Sequence, residues 1–255
     1  MIKEQFVRNL GVMSKEDIIK LNNSTIAIAG CGCIGGFSAE LLARMGVGKL
    51  VLADPDVFDV TNINRQCAAT YHTVGKLKVE ALKDHLLAIN PDLEIQTYSE
   101  GIHEGNANNF VKNAEYVIDA IDYFCFPEAV ALHRAARKQG LYVITAVALG
   151  FGTSVLTFAP DGMKLEDYIG IPEDISIDQL KGVTFPASQY TTVLPSYVTE
   201  EMISDWLSNK TIPTISVGQA LGPGSLVSQL VLHLLGRKQP IVVPDKFQLQ
   251  FEYVL

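Results

Sequence analysis

The run Gly30-Cys31-Gly32-Cys33-Ile34-Gly35 stands directly behind the apolar, β-branched stretch Thr25 to Ala29 and directly before a helical pattern. Glycines where a strand turns into a helix leave backbone amides open to phosphate oxygens, with no side chain in the way. A lone G-x-G-x-x-G is a weak signal. Its strand-turn-helix context, with Asp54 closing the second apolar run, makes it a nucleotide-binding turn. Gly30, Gly32 and Gly35 then face phosphate and Asp54 faces ribose hydroxyls, the alternative being that Asp54 caps the turn before Pro55. The polar run that follows carries Asp56, Asn62, Arg65 and Gln66, and Lys78 comes after it. Cations placed there suit a triphosphate tail, for which a hydride-transfer dinucleotide has no use.

These residues need a scaffold, and the periodicity supplies one. Apolar, β-branched runs recur at Thr25 to Ala29, Lys49 to Ala53, Leu93 to Tyr98, Tyr116 to Ala120, Tyr142 to Val147 and Ser154 to Phe158. Helical spacing fills most of the gaps, over Gly35 to Met45, Gly75 to Ile89 and Pro127 to Lys138, and Ser14 with Asp17 forms a capping box for a short leading helix. Strands apolar on both faces and alternating with helices predict an α/β fold: a Rossmann-like, mainly parallel sheet with helices on both faces. Ala159 to Pro213 then breaks the rhythm as a long polar excursion with a short amphipathic piece at Glu200 to Leu207. The chain returns as a long apolar helix, Ser216 to Leu235, interrupted by Gly222-Pro223-Gly224, and closes on strands at Ile241 to Val243 and Phe247 to Tyr253. The whole of 1–255 reads as a single nucleotide-binding domain: an N-terminal helical arm (1–24), a core (25–158), a crossover and substrate segment (159–213), and a C-terminal helix and strands (214–255).

Composition narrows the class. With 48% hydrophobic residues in 255, the chain can bury a large core. A formal net charge of -8 leaves no basic surplus for a phosphate backbone, so tRNA is a less favoured partner. Four cysteines, Cys31, Cys33, Cys67 and Cys125, imply no disulfide framework. The polar start MIKEQFVRNL has no signal-peptide core, and no apolar run is long enough to span a bilayer, so a cytoplasmic protein without a membrane partner is expected.

The run TNINRQ, the VGKLKVE that follows and the VIDAID strand resemble the ThiF/MoeB-like adenylyltransferases, the superfamily that includes ubiquitin-activating enzymes. The resemblance is close over roughly residues 5 to 160 and loose over the Ser216 to Leu235 helix, with several motifs in the right order. It implies ATP and Mg²⁺ as cofactors, with Asp54 on the ribose, Asn62 and Arg65 near the phosphates, Gln66 beside them, Lys78 on the triphosphate and Asp122 on Mg²⁺. It also implies that Arg8 reaches the γ-phosphate of a neighbouring subunit in a homodimer with shared sites, unless Arg8 is an ordinary surface arginine. The family spacing prefers Lys78 to Lys76. Asp122 is preferred to Asp119, which lies within the strand run.

The chemistry implied is attack of a carboxylate on the α-phosphorus with pyrophosphate leaving; the nucleophile is already an anion, so no general base is needed. The substrate would be the C-terminus of a ubiquitin-like or sulfur-carrier protein, or a peptide. Departures from the family bear on the mechanism. No cysteine follows Cys125, so neither the paired Cys-x-x-Cys zinc site nor the later thioester cysteine is available, and no zinc is expected. Cys67 and Cys125 read as structural thiols rather than nucleophiles, and Tyr123 replaces the family's asparagine after the metal-binding aspartate. Three alternatives stand beside this reading. The first is a relative of the tRNA threonylcarbamoyladenosine dehydratases, whose local wording is close but whose segment after the sixth strand differs from FAPDGMKLEDYIG. The second is an NAD-dependent oxidoreductase, opposed by Arg65 and Lys78. The third is a non-catalytic partner subunit, opposed by retention of Arg65, Lys78 and Asp122 together.

Overall fold

The computed structural model describes residues 2–181, 183 and 189–253. Part of the expected crossover segment, at 182 and 184–188, and the ends of the expected domain, at 1, 254 and 255, lie outside the described residues. The strands are β1 (Thr25–Ala29), β2 (Lys49–Ala53), β3 (Glu94–Tyr98), β4 (Tyr116–Asp119), β5 (Tyr142–Leu149), β6 (Gly152–Phe158) and β7 (Phe247–Gln250). The helices are α1 (Lys15–Asn23), α2 (Cys33–Met45), α3 (Lys78–Ile89), α4 (Ala107–Phe110), α5 (Phe126–Lys138), α6 (Leu165–Ile169), α7 (Glu200–Ser208) and α8 (Ser216–Leu234). The strands form one seven-stranded sheet in the order β3-β2-β1-β4-β5-β6-β7. The first five run parallel, while β6 and β7 are antiparallel additions.

Period-two alternation sorts the side chains into two cores. Ile26 and Ile28 of β1 face Leu42 of α2, Leu82 of α3 and Leu230 of α8, whereas Ala27 and Ala29 face the layer built by Phe110, Val130 and Leu132. The sheet is therefore covered on both faces, as parallel strands require. Strand β3 departs from the expectation of strands apolar on both faces: it is an edge strand whose Glu94 and Gln96 are exposed. No helix among the described residues is long and apolar enough to cross a membrane.

Four features differ from the sequence reading. Helix α3 starts at Lys78 rather than Gly75, because the residues before it are tied to Asp56 to Phe58: Leu77 bridges Val57, Lys78 donates its amide to Asp56 O at 2.9 Å and Gly75 donates to Phe58 O at 2.8 Å. Helix α8 runs through Pro223 without a break. It can lie close because Gly218 and Gly222 face neighbours that a methyl group would strike: Gly150 O would sit 2.2 Å, and Ile34 Cδ1 2.8 Å, from an added Cβ. The strand expected at Ile241 to Val243 is absent. Prolines 240 and 244 flank it and cannot donate to a ladder, leaving one bond from the Val243 amide to Thr157 O at 2.9 Å. Strand β7 stops at Gln250 and becomes a 3-10 turn, since its partner β6 begins at Gly152 and offers nothing beyond.

Chain order places the site. From β1 the sheet grows outward in both directions, to β2 on one side and β4 on the other, so the loops after β1, β2 and β4 diverge around a crevice at their C-terminal ends. Such switch points are where open α/β sheets receive ligands.

Candidate active site

Gly30 leaves β1 with φ +95°, and a Cβ on it would lie 2.1 Å from Ala120 O in the loop after β4. Gly35 is as confined, since its Cβ would fall 1.8 Å from Gly30 O. These two glycines let the turn fold tightly between β1 and β4. Gly32 differs: its nearest neighbour, the Gln66 amide, would make only ordinary contact at 3.6 Å. Gly32 caps α2 with no side-chain hydrogen bond and no acid in the first turn, so the helix presents unsatisfied amides to the crevice.

Asp54, at the end of β2, is 6% exposed and fastens this turn. The Cys31 amide donates to its Oδ2 at 2.6 Å and the Asp56 amide to its Oδ1 at 2.9 Å. Burial pushes the Asp54 carboxyl up; Lys78 and the two amides pull it part of the way back. Lys78, the first residue of α3, is 8% exposed, with its Nζ 2.8 Å from Asp56 Oδ2. Burial alone would lower a lysine, but Asp54 and Asp56 more than offset it and hold the ammonium above its usual range.

Arg65 comes to the same crevice from the loop after the 3-10 turn Val60–Asn62. Its Nη1 donates to Thr61 O and Asn64 Oδ1, both at 2.9 Å, and it stands close enough to the Cys33 thiol to lower it against the burial that raises it. Gln66 is buried against Gly32, with its Oε1 unpaired among the described residues. Asn62 has partly local work, its Oδ1 accepting the Asp59 amide at 3.1 Å. Glycine turn, Asp54, Asp56, Arg65, Gln66 and Lys78 are thus brought together.

Asp122 projects from the exposed loop after β4, where its Oδ1 accepts the Phe124 amide at 2.9 Å. Asp119, its rival, is 8% exposed and engaged elsewhere: Oδ2 meets His133 Nε2 at 3.0 Å and Oδ1 accepts the Ile121 amide. The sequence reading missed His133, though a histidine on the apolar face of α5 was a signal that a buried acid must oppose it. Lys76, the rival of Lys78, is exposed.

Arg8 does not reach the crevice of its own chain. It lies exposed on the 3-10 helix Glu4–Asn9, whose Phe6 ring packs on Gly46 at the C-terminal end of α2. The glycine turn is at the other end of that 13-residue helix, about 20 Å away at 1.5 Å per residue. A cavity of about 420 Å³ is also remote from the turn, at the far end of the sheet beside Arg137, Lys138 and Val143; its Arg134 and Lys164 are paired with Glu166 and Glu173.

None of the thiols is poised as a nucleophile. Burial pushes Cys31 well up, Cys67 to about 12 and Cys125 to about 11, with neighbouring carboxylates adding to the rise in each case.

The chain resembles proteins of known name. It is 37% identical over 158 residues to the tRNA threonylcarbamoyladenosine dehydratase of Bacillus subtilis, covering 60% of each chain. It is 29% identical over 143 residues to the SAMP-activating enzyme E1 of Haloferax volcanii, covering 56% of this chain and 52% of that one. The matched regions therefore span about half to three fifths of these relatives. The fold superposes on Escherichia coli MccB crystallised with ATP at a TM-score of 0.75 and 18% identity, over 100% of this chain and 70% of that one. The pattern that defines the ThiF family matches residues 6–241, and the chain belongs to the ThiF family.

Proposed function

We propose that this chain binds MgATP in the crevice beyond β1, β2 and β4 and adenylates a carboxylate. The observation that carries the reading is Lys78, buried yet kept protonated by Asp54 and Asp56, beside the uncapped start of α2 and the Arg65 loop. A buried cation facing free helix amides is an arrangement for a polyanion. Gly32 supports this: no neighbour in the chain crowds it, and its missing side chain leaves the backbone at the start of α2 open to a ligand.

In the proposed reaction the carboxylate oxygen forms a bond to the α-phosphorus and the bond to the β-phosphate oxygen breaks, giving an acyl-adenylate and pyrophosphate. Lys78 and Arg65 hold the phosphate oxygens and take up charge as it moves to the leaving group. Asp54 orients the ribose and keeps the glycine turn in place. Asp122 fits Mg²⁺: it is a hard, exposed oxygen donor, oriented by the Phe124 amide on Oδ1, and it would hold the ion. When bound, the ion neutralises charge on the triphosphate. Arg8 completes the site of a second copy, the reading that its place at the far end of α2 favours; the active form is then a homodimer. ATP and four free thiols suit the cytoplasm.

The substrate proposed is a protein or peptide carboxyl terminus. The crossover segment is acidic, with Asp161, Glu166, Asp167, Glu173, Asp174, Asp178, Glu200, Glu201 and Asp205 against Lys164, Lys181 and Lys210, and it exposes Val193, Leu194, Tyr197 and Met202. Such a surface receives a polypeptide more readily than a tRNA. The 37% identity to the B. subtilis dehydratase favours a second reading, in which the carboxylate belongs to threonylcarbamoyladenosine on tRNA. ATP–pyrophosphate exchange separates the two. Exchange dependent on a carrier protein or peptide supports the first reading, exchange dependent on modified tRNA the second, and none with any carboxylate overturns adenylation itself.

A further inference from the structure

A second cluster of metal-ligating side chains lies on the helical face of the sheet, where α2, α3 and the Arg65 loop meet. Glu40 of α2, Cys67 and His85 of α3 bring a carboxylate oxygen, the thiol sulfur and an imidazole nitrogen within 4.8 Å of one another. Glu40 Oε2 and His85 Nε2 are 2.9 Å apart. Arg44 donates through Nε and Nη2 to Glu40 Oε1, both at 2.8 Å, which fixes the carboxylate with Oε2 turned toward the other two donors. Cys67 is pressed into place as well, its Sγ 3.2 Å from the position of a Cβ on Gly36.

We propose that Glu40, Cys67 and His85 form a Zn²⁺ site with three protein ligands and one position open to water. Sulfur, nitrogen and oxygen donors together are a zinc set rather than a magnesium or calcium one. The three groups converge from two helices and a loop, and Arg44 supplies the outer support that ligating carboxylates require. Entry is open because the His85 side chain is 34% exposed. Binding forms the metal–sulfur bond as the Cys67 thiol releases its proton to solvent, and it replaces the hydrogen bond between Glu40 and His85. This is not the paired-cysteine zinc excluded by the sequence, and none of its three ligands is among the residues given to ATP. Its consequence is mechanical: Cys67 follows Arg65 and Gln66 directly, so occupancy pins that loop against α2 and α3.

The test is a titration of the metal-free chain of 255 residues with Co²⁺, followed by displacement with Zn²⁺. Expected are tetrahedral-strength visible bands together with a near-ultraviolet thiolate-to-cobalt band, both bleached by Zn²⁺. The Cys67→Ser variant should lose the near-ultraviolet band, and His85→Gln should bind at least about tenfold more weakly. Circular dichroism establishes that each variant is folded; where Cys67→Ser does not fold, His85→Gln decides. A wild-type chain with no thiolate band, a band that persists in Cys67→Ser, or unchanged affinity in His85→Gln overturns the proposal.

Discussion

Lys78 Nζ lies 2.8 Å from Asp56 Oδ2, and the Asp56 amide in turn hangs from Asp54 Oδ1, so one short turn after β2 both creates and neutralises the buried cation. Removing the ammonium while keeping the side-chain volume, as in Lys78→Met, should lower kcat/KM for pyrophosphate exchange by about a hundredfold or more, the range found for a preorganised charge donor. A near-normal rate in the folded variant would show that the lysine serves the fold alone.

The same lysine gives a pH signature. Its folded pKa is raised above the ordinary lysine value near 10.5, so its stabilising contribution is complete below about pH 10 and is lost as pH rises through the folded value. The stability gap between wild type and Lys78→Met should therefore be constant from neutral pH to about 10 and shrink above it. Urea unfolding at stepped pH measures this. A gap that widens in alkali would mean that the ammonium is not favoured in the folded chain.

Much of this site was legible because its signals are local. The glycine turn, Asp54, Arg65 and Lys78 lie in one stretch of chain, and because they follow the apolar runs of β1 and β2 in the chain, the sequence states which end of the strands they occupy. What escaped was tertiary. His133 meets Asp119 and Glu40 meets His85 only after α5 and α3 dock, and no spacing announces such pairs. The start of α3 was misplaced because Leu77 bridges back to Val57 and Gly75 bonds to Phe58, contacts that helical spacing does not announce. The break expected at Pro223 was a fair local inference that the packing of Gly218 and Gly222 overrode.

Asp122→Ala should leave the fold intact, because the residue is exposed and, among the described residues, its carboxylate is held only by the Phe124 amide two residues on. Pyrophosphate exchange should nonetheless fall below detection and should not return with excess Mg²⁺. Retained exchange with unchanged Mg²⁺ dependence would move the metal role away from Asp122.

Cys125 is exposed, yet its pKa is pushed up to about 11 by partial burial of the thiol and by Asp122, Glu128, Asp56 and Asp54. At pH 8 its thiolate fraction is about a hundredth of that of a cysteine with a pKa near 9, and the higher nucleophilicity of the more basic thiolate recovers about tenfold, so iodoacetamide should modify it about tenfold more slowly than such a thiol. Mass spectrometry of the timed reaction reads this directly. Cys125→Ser should adenylate at the wild-type rate; a large loss of adenylate formation in that variant would restore the thiol to the mechanism.

The glycines of the turn divide by what confines them. Gly30 adopts φ +95° and faces Ala120 O at 2.1 Å from an added Cβ, so Gly30→Ala must move the loop that carries Asp122 and should cost about 2 kcal/mol or more in urea unfolding. Gly32 meets only the Gln66 amide, at ordinary distance, so Gly32→Ala should change stability by no more than about 1 kcal/mol, the helix-cap and backbone-entropy differences being small. Its cost belongs to binding: a methyl group there stands where phosphate oxygens must approach the amides of α2, and ATP affinity by calorimetry should drop at least about tenfold. If Gly32→Ala binds ATP like the wild type, the phosphates do not lie over the start of α2, and the reading of the whole turn has to change with it.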